Sequence, residues 1–140
     1  MTECTSDPAR NQATESEKLA YVVDDQSAMS LLLTVLLRRK GYQVRWFIDP
    51  ESALQSLTNG VDQPELLMTD FVMTPMNGME LIQRCKLIQP NLKTILFSGY
   101  GGQDVMKGYS VKPDGFLKKP FNAKMLSAEL EHATEIQRDH

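Results

Sequence analysis

From Lys18 to the C-terminus, short apolar runs alternate with longer segments of helical period, with no internal repeat and no low-complexity linker between them. The rhythm is that of successive βαβ units and predicts an α/β domain. The runs fall at 19–23, 44–48, 66–68, 94–97 and 115–117, and most are continuously apolar instead of strictly alternating. Strands covered by helices on both faces read this way, so five parallel strands are expected.

Between the runs lie five helical patterns. In the first, Ala28, Leu31, Leu32, Val35 and Leu36 fall at i, i+3, i+4, i+7 and i+8, which predicts one apolar stripe on the sheet, ended by Gly41. The second opens at Asp49-Pro50, a capping residue followed by a proline whose missing N–H costs nothing in the first turn, and turns Ala53, Leu54 and Leu57 inward. Asn77 and Glu80 have capping-box spacing for a third helix with Leu81, Ile82, Cys85 and Ile88 buried, ended by Pro90. A short helix is expected over 103–108. A longer one starts near Asn122 and carries Met125, Leu126, Leu130 and Ala133 to the core.

The chain has 140 residues, 41% of them hydrophobic and 24% charged, with a net charge of -3, which suits one globular domain and gives no argument for a nucleic-acid partner. Residues 1–17 are polar and lack the apolar core of a secretory signal, so a disordered leader is expected there, with the folded domain over 18–138. No run is long enough to span a bilayer, so no membrane partner is expected. Cys4 and Cys85 fit no paired-cysteine spacing, which points to a reducing cytoplasm.

In an open parallel sheet, ligands sit beyond the carboxyl ends of the strands. The residues next to those ends are Asp24 and Asp25 after the first strand, Asp70 after the third, Ser98 after the fourth and Lys119 after the fifth. Taken singly, Asp24-Asp25 reads as a helix cap, Ser98 as a backbone-bonding hydroxyl and Lys119 as a solvated lysine. Together they describe a site. Three neighbouring carboxylates repel one another unless a cation joins them, and an all-oxygen set selects a hard ion such as Mg²⁺. A carboxylate can act as nucleophile toward phosphorus, and phosphoryl transfer mainly needs positioning and charge neutralisation. Asp70 is then the attacking group, with Mg²⁺, Lys119 and Ser98 stabilising the charge.

The segments VVDD at Val22 to Asp25, MTDF around Asp70, LFSG around Ser98 and FLKKPF at Phe116 to Phe121 resemble the receiver domains of two-component response regulators, of the single-domain type. The resemblance implies a flavodoxin-like (βα)5 doubly wound parallel sheet of strand order 2-1-3-4-5. It implies Asp70 as phosphoacceptor, Mg²⁺ held directly by Asp25, Asp70 and the Val72 backbone carbonyl, with Asp24 acting through water, and Ser98 and Lys119 binding the phosphoryl group. Ser98 and Phe116 become the switch pair, read out on the face of the fourth helix, fifth strand and last helix. A protein of this kind is a stoichiometric phosphoacceptor, not an enzyme. Its expected partners are a sensor histidine kinase or phosphotransfer protein, a downstream protein target, and a second copy on phosphorylation.

Thr74 stands where the family usually has proline, and Asn77 where it often has an acidic residue. Val72 and Tyr100, two residues beyond Asp70 and Ser98, lack the amide or carboxylate that would position a hydrolytic water, so slow self-dephosphorylation is expected. A rival reading, a pseudo-receiver that binds partners without phosphorylation, has the complete set of five site residues against it. A haloacid-dehalogenase-like enzyme would need a second acid where Val72 stands. The SGYGG segment fails the dinucleotide pattern because Asp104 replaces its third glycine. His132 and His140 lie on or past the last helix and are given no role. No segment remains for an output domain, so output is expected through binding or through a larger protein.

Overall fold

A computed structural model describes residues 18–99 and 102–138, so the leader, Tyr100, Gly101 and His140 lie outside the described residues. The strands are β1 (Lys18–Val23), β2 (Tyr42–Phe47), β3 (Leu66–Asp70), β4 (Lys93–Ser98) and β5 (Gly115–Lys118). The helices are α1 (Ser27–Arg39), α2 (Pro50–Thr58), α3 (Gly78–Ile88) and α4 (Ala123–Arg138), with a 3-10 turn at Gly102–Met106. All strand pairs are parallel and the order is β2-β1-β3-β4-β5, a doubly wound flavodoxin-like sheet.

The continuity of the apolar runs has its cause in two buried faces. On one, Ala20, Val22, Met68, Ile95, Phe97 and Leu117 meet Leu33 and Leu37 of α1 and Leu126, Leu130 and Ala133 of α4. On the other, Tyr21, Val23, Leu67 and Leu96 meet Ala53 and Leu57 of α2 and Met79, Leu81, Ile82 and Cys85 of α3. Each fully buried leucine contributes about 2 kcal/mol by leaving water, so neither face tolerates a polar helix. The two expected helix starts are observed. Asp49 caps α2 by accepting from the Ser52 N–H at 2.7 Å, and Asn77 and Glu80 close a complete capping box on α3.

The stripe expected for α1 is corrected. Ala28, Leu31, Leu32 and Val35 face solvent, Leu31 being 67% exposed, while Ser30, Leu33 and Leu37 are buried and Leu36 is partly so. Met29, Leu31 to Leu33 and Val35 to Leu37 are apolar, so two stripes of equal period compete and periodicity cannot choose between them. The entry turn chooses. Gln26 is extended, and its N–H is held by Asp24 Oδ1 at 3.1 Å, which sets the azimuth at which α1 begins.

Smaller corrections have the same origin in helix and strand ends. Ile88 and Met125, expected inside, are 44% and 43% exposed; Ile88 is the last residue of α3 and Met125 lies in the first turn of α4. β2 starts at Tyr42 and stops at Phe47, leaving Ile48 outside, since parallel pairing with β1 sets its limits. The expected short helix is a 3-10 turn that starts one residue earlier.

A polar clamp secures the β2 edge. The Tyr21 hydroxyl meets Asp62 and, at 3.0 Å, Ser56, while the Arg45 guanidinium donates to Asp62 at 2.9 Å and lies over the Tyr21 and Phe47 rings. Burial and the Asp62 carboxylate push the Tyr21 phenol up to about 12, so it stays neutral. Among the described residues no helix is long and apolar enough to cross a membrane.

Candidate functional site

The chain leaves β1 toward β2 on one side and returns as β3 on the other, which makes the β1/β3 boundary the point where strand order reverses. Val23 and Thr69 are register partners there, so the next residues, Asp24 and Asp70, stand side by side. Ser98 ends β4 and Lys119 follows β5. A depression of about 310 Å³ at this end is lined by Asp25, Gln26, Asp70, Val72, Gly99 and Lys119. Asp24 and Ser98 are fully buried beside it, and Asp70 is 6% exposed. Phe116 is apart from this lining: it lies half-buried on β5, and its backbone N–H donates to Glu129 Oε2 of α4 at 2.8 Å.

Lys119 Nζ stands 3.2 Å from Asp70 Oδ2 and 5.3 Å above the Phe97 ring centroid. The side chains are 20% and 9% exposed, so the pair is shielded from the solvent screening that weakens surface ion pairs. Lys119 is held in place by its own N–H, which donates to the Ser98 carbonyl at 2.9 Å.

Asp24 is the unbalanced group. Its Oδ1 accepts from Gln26, whereas its buried Oδ2 has no hydrogen-bond partner among the described residues. Burial raises its pKa above the ordinary carboxylate range; the Gln26 N–H and Lys119 pull it down, and Asp70 and Asp25 push it further up. An orphaned carboxylate oxygen beside two more carboxylates is suited to a hydrated Mg²⁺. Among the described residues no three His, Cys, Asp or Glu side chains form a closed metal cage.

This imbalance has a consequence for stability. The folded chain holds the Asp24 proton to higher pH than the unfolded chain does, so stability falls as pH rises from the ordinary carboxylate pKa through the raised one. Asp24→Asn keeps the acceptor for Gln26 and removes the buried charge. It is expected to stabilise the metal-free protein at pH 7 and to weaken Mg²⁺ binding. Urea denaturation with and without Mg²⁺ checks both; a variant less stable than wild type without Mg²⁺ would contradict the assignment.

Two further residues build the site without belonging to any chemical motif. A Cβ added to Gly78 would collide with the Asp70 carbonyl oxygen and lie 2.8 Å from Leu96 Cδ1, so only glycine lets α3 start beneath Asp70. The Trp46 indole N–H donates to the Asp24 carbonyl at 2.7 Å, bracing the acidic turn from the edge strand. The sequence signal for it was available: the one tryptophan lies at the carboxyl end of β2, paired with Val22.

A family model described as the response regulator receiver domain matches residues 20–131. The chain belongs to this family. It is 32% identical over 116 residues to the response regulator receiver protein CpdR of Brucella abortus (strain 2308), covering 81% of this chain and 94% of that protein. It is 30% identical over 92 residues to sporulation initiation phosphotransferase F of Bacillus subtilis (strain 168), covering 66% of this chain and 72% of that one. The DNA-binding transcriptional regulator NtrC of Azospirillum brasilense is 34% identical over 113 residues, and there the match spans only 23% of the longer protein. A CheY-like receiver domain protein from Methanospirillum hungatei JF-1, 24% identical, has the same fold, with a TM-score of 0.78 over 89% of this chain and all of that one. This receiver domain therefore has relatives of its own size as well as larger ones.

Proposed function

We propose that this receiver domain takes a phosphoryl group onto Asp70 in two-component signalling and reports that event through a change of surface. The observation that carries the reading is the near-buried Asp70–Lys119 pair beside the orphaned oxygen of Asp24. Asp70 Oδ attacks phosphorus and forms an acyl phosphate, while the P–N bond of a phosphohistidine, or the P–O bond of acetyl phosphate, breaks and the donor leaves with the electron pair. Asp25, Asp70 and the Val72 carbonyl would hold Mg²⁺, with Asp24 acting through water, and the ion would supply charge neutralisation for the phosphoryl oxygens. Lys119 loses its carboxylate partner as the acyl phosphate forms and pairs with a phosphoryl oxygen instead. The Ser98 hydroxyl donates to another. That exchange of partners supplies the driving force by which Ser98 and Phe116 would rearrange the face formed by the 3-10 turn, β5 and α4.

The expected donor is a sensor histidine kinase or a phosphotransfer protein. The exposed apolar stripe of α1 supplies a surface for it, since α1 begins two residues after Asp25 at the mouth of the site. Leu31→Lys is expected to slow transfer from a protein donor about tenfold, the cost of losing one buried contact in an interface. Its rate with acetyl phosphate should stay at the wild-type value. Equal slowing with both donors would move the docking surface elsewhere.

The deciding experiment is incubation with Mg²⁺ and acetyl phosphate, read by intact mass, with beryllofluoride added in a parallel NMR titration. A phosphoryl adduct removed by chelation is expected. Neither an adduct nor a spectral change with beryllofluoride would replace this reading by that of a phosphorylation-independent binding module. Followed over time, the same adduct reports the slow self-dephosphorylation expected from Val72 and Tyr100; Val72 is 60% exposed and its side chain offers water no hydrogen bond.

A further inference from the structure

The connection from β3 to α3 carries both Val72 and the helix cap. It is tied at its start by the Phe71 N–H, which donates to the Phe97 carbonyl at 2.9 Å, and at its end by the Gly78 N–H, which donates to the Phe71 carbonyl at 2.9 Å. Asn77 closes the loop with the capping box: Oδ1 accepts from the Glu80 N–H at 2.8 Å, and the Asn77 N–H donates to Glu80 Oε1 at 2.9 Å. The cap uses only one arm of the Asn77 carboxamide. The other arm, Nδ2, donates to the Tyr109 hydroxyl at 2.9 Å.

Tyr109 belongs to a different part of the chain, the connection between β4 and β5, just after the 3-10 turn and Gly108, whose φ of +86° ends that turn. Its half-buried ring packs on the same core cluster as Phe71, Met73 and Phe116. An acidic cap at position 77 would hold the helix equally well but could only accept from the Tyr109 hydroxyl, whereas the amide donates to it. The amide reaches both ways, which a cap alone does not require.

We infer that Tyr109 is a positioning residue for the acceptor site, acting through Asn77 on the loop that presents the Val72 carbonyl. Coupling between two sites is reciprocal. If the Asn77–Tyr109 bond favours the loop geometry that binds Mg²⁺, then Mg²⁺ strengthens that bond and is felt in the β4–β5 connection. The inference rests on the phospho-receiver reading for its metal and adds a residue outside the five matched positions.

The test uses Mg²⁺ alone, titrated into the whole chain and read by Trp46 fluorescence, since that indole contacts Asp24. Tyr109→Phe removes the hydroxyl and keeps the ring; Asn77→Ser keeps a good helix cap and removes the second arm. Each is expected to raise the Mg²⁺ dissociation constant roughly fivefold, the factor for one neutral hydrogen bond. The double variant should be no weaker than either single one, because both remove the same bond. In NMR spectra of the wild type, Mg²⁺ should shift the Tyr109 amide, and Asn77→Ser should abolish that shift.

Lower stability of the variants with an unchanged Mg²⁺ dissociation constant would overturn the inference and leave the bond purely structural. Additive weakening in the double variant would also overturn it. Mg²⁺ binding with the expected variant effects but no adduct from acetyl phosphate would sustain the positioning role while removing the phospho-receiver reading. A wild type that binds no Mg²⁺ would remove both.

Discussion

Asp70→Asn is expected to abolish the acetyl-phosphate adduct completely, whereas Asp24→Asn and Asp25→Asn should only slow its formation. Three carboxylates share the site, and their surroundings assign their roles. Asp24 is fully buried with one oxygen bonded to Gln26, so neither oxygen can meet an incoming phosphorus. Asp25 lines the depression but is exposed and has no ion-pair partner among the described residues. Asp70 alone combines access to the depression with Lys119 at 3.2 Å. An amide at that position is too weak a nucleophile to form the acyl phosphate. Intact mass after incubation with Mg²⁺ and donor decides the matter; an adduct surviving in Asp70→Asn would transfer the acceptor role to another side chain.

Gly78→Ala carries the second large expectation, because helix propensity and packing predict opposite signs. Alanine in place of glycine inside a helix normally adds up to about 1 kcal/mol of stability. Here the added methyl would press on the Asp70 carbonyl and on Leu96, and overpacking of this kind costs about 2 kcal/mol. Relief requires the end of β3 to move, and Asp70 moves with it. Displacing a reacting group by even 1 Å can cost on the order of 100-fold in rate. The expected result is a lower urea midpoint together with a loss of at least about tenfold in phosphorylation rate. A variant as stable and as reactive as wild type would show that the α3 start yields without disturbing the acceptor.

Much of this architecture is legible in the amino-acid sequence. Five apolar runs appeared at five strands because parallel strands buried on both faces have no polar side to interrupt them. The starts of α2 and α3 were legible because caps are local: Asp49, Asn77 and Glu80 bond within three residues of themselves. The grouping of Asp24, Asp70, Ser98 and Lys119 was legible because strand ends in such a sheet converge at one edge, so these residues could be gathered by counting strands. Strand order came only through resemblance to a family, since hydrophobic spacing says nothing of which strands are neighbours.

Local pattern alone therefore determined which segments are strands and helices, where two helices begin, and which side chains follow the strand ends. Tertiary structure decided the rest. The face that α1 buries could not be read from a helix apolar nearly all round; the turn at Gln26 selects it and leaves Leu31 and Val35 outside. The clearance beneath Asp70 that only Gly78 provides, the Trp46 brace and the Asn77–Tyr109 bond join residues between 8 and 32 positions apart. Interactions of that range depend on how layers pack and at what register strands pair, and no window of sequence contains them.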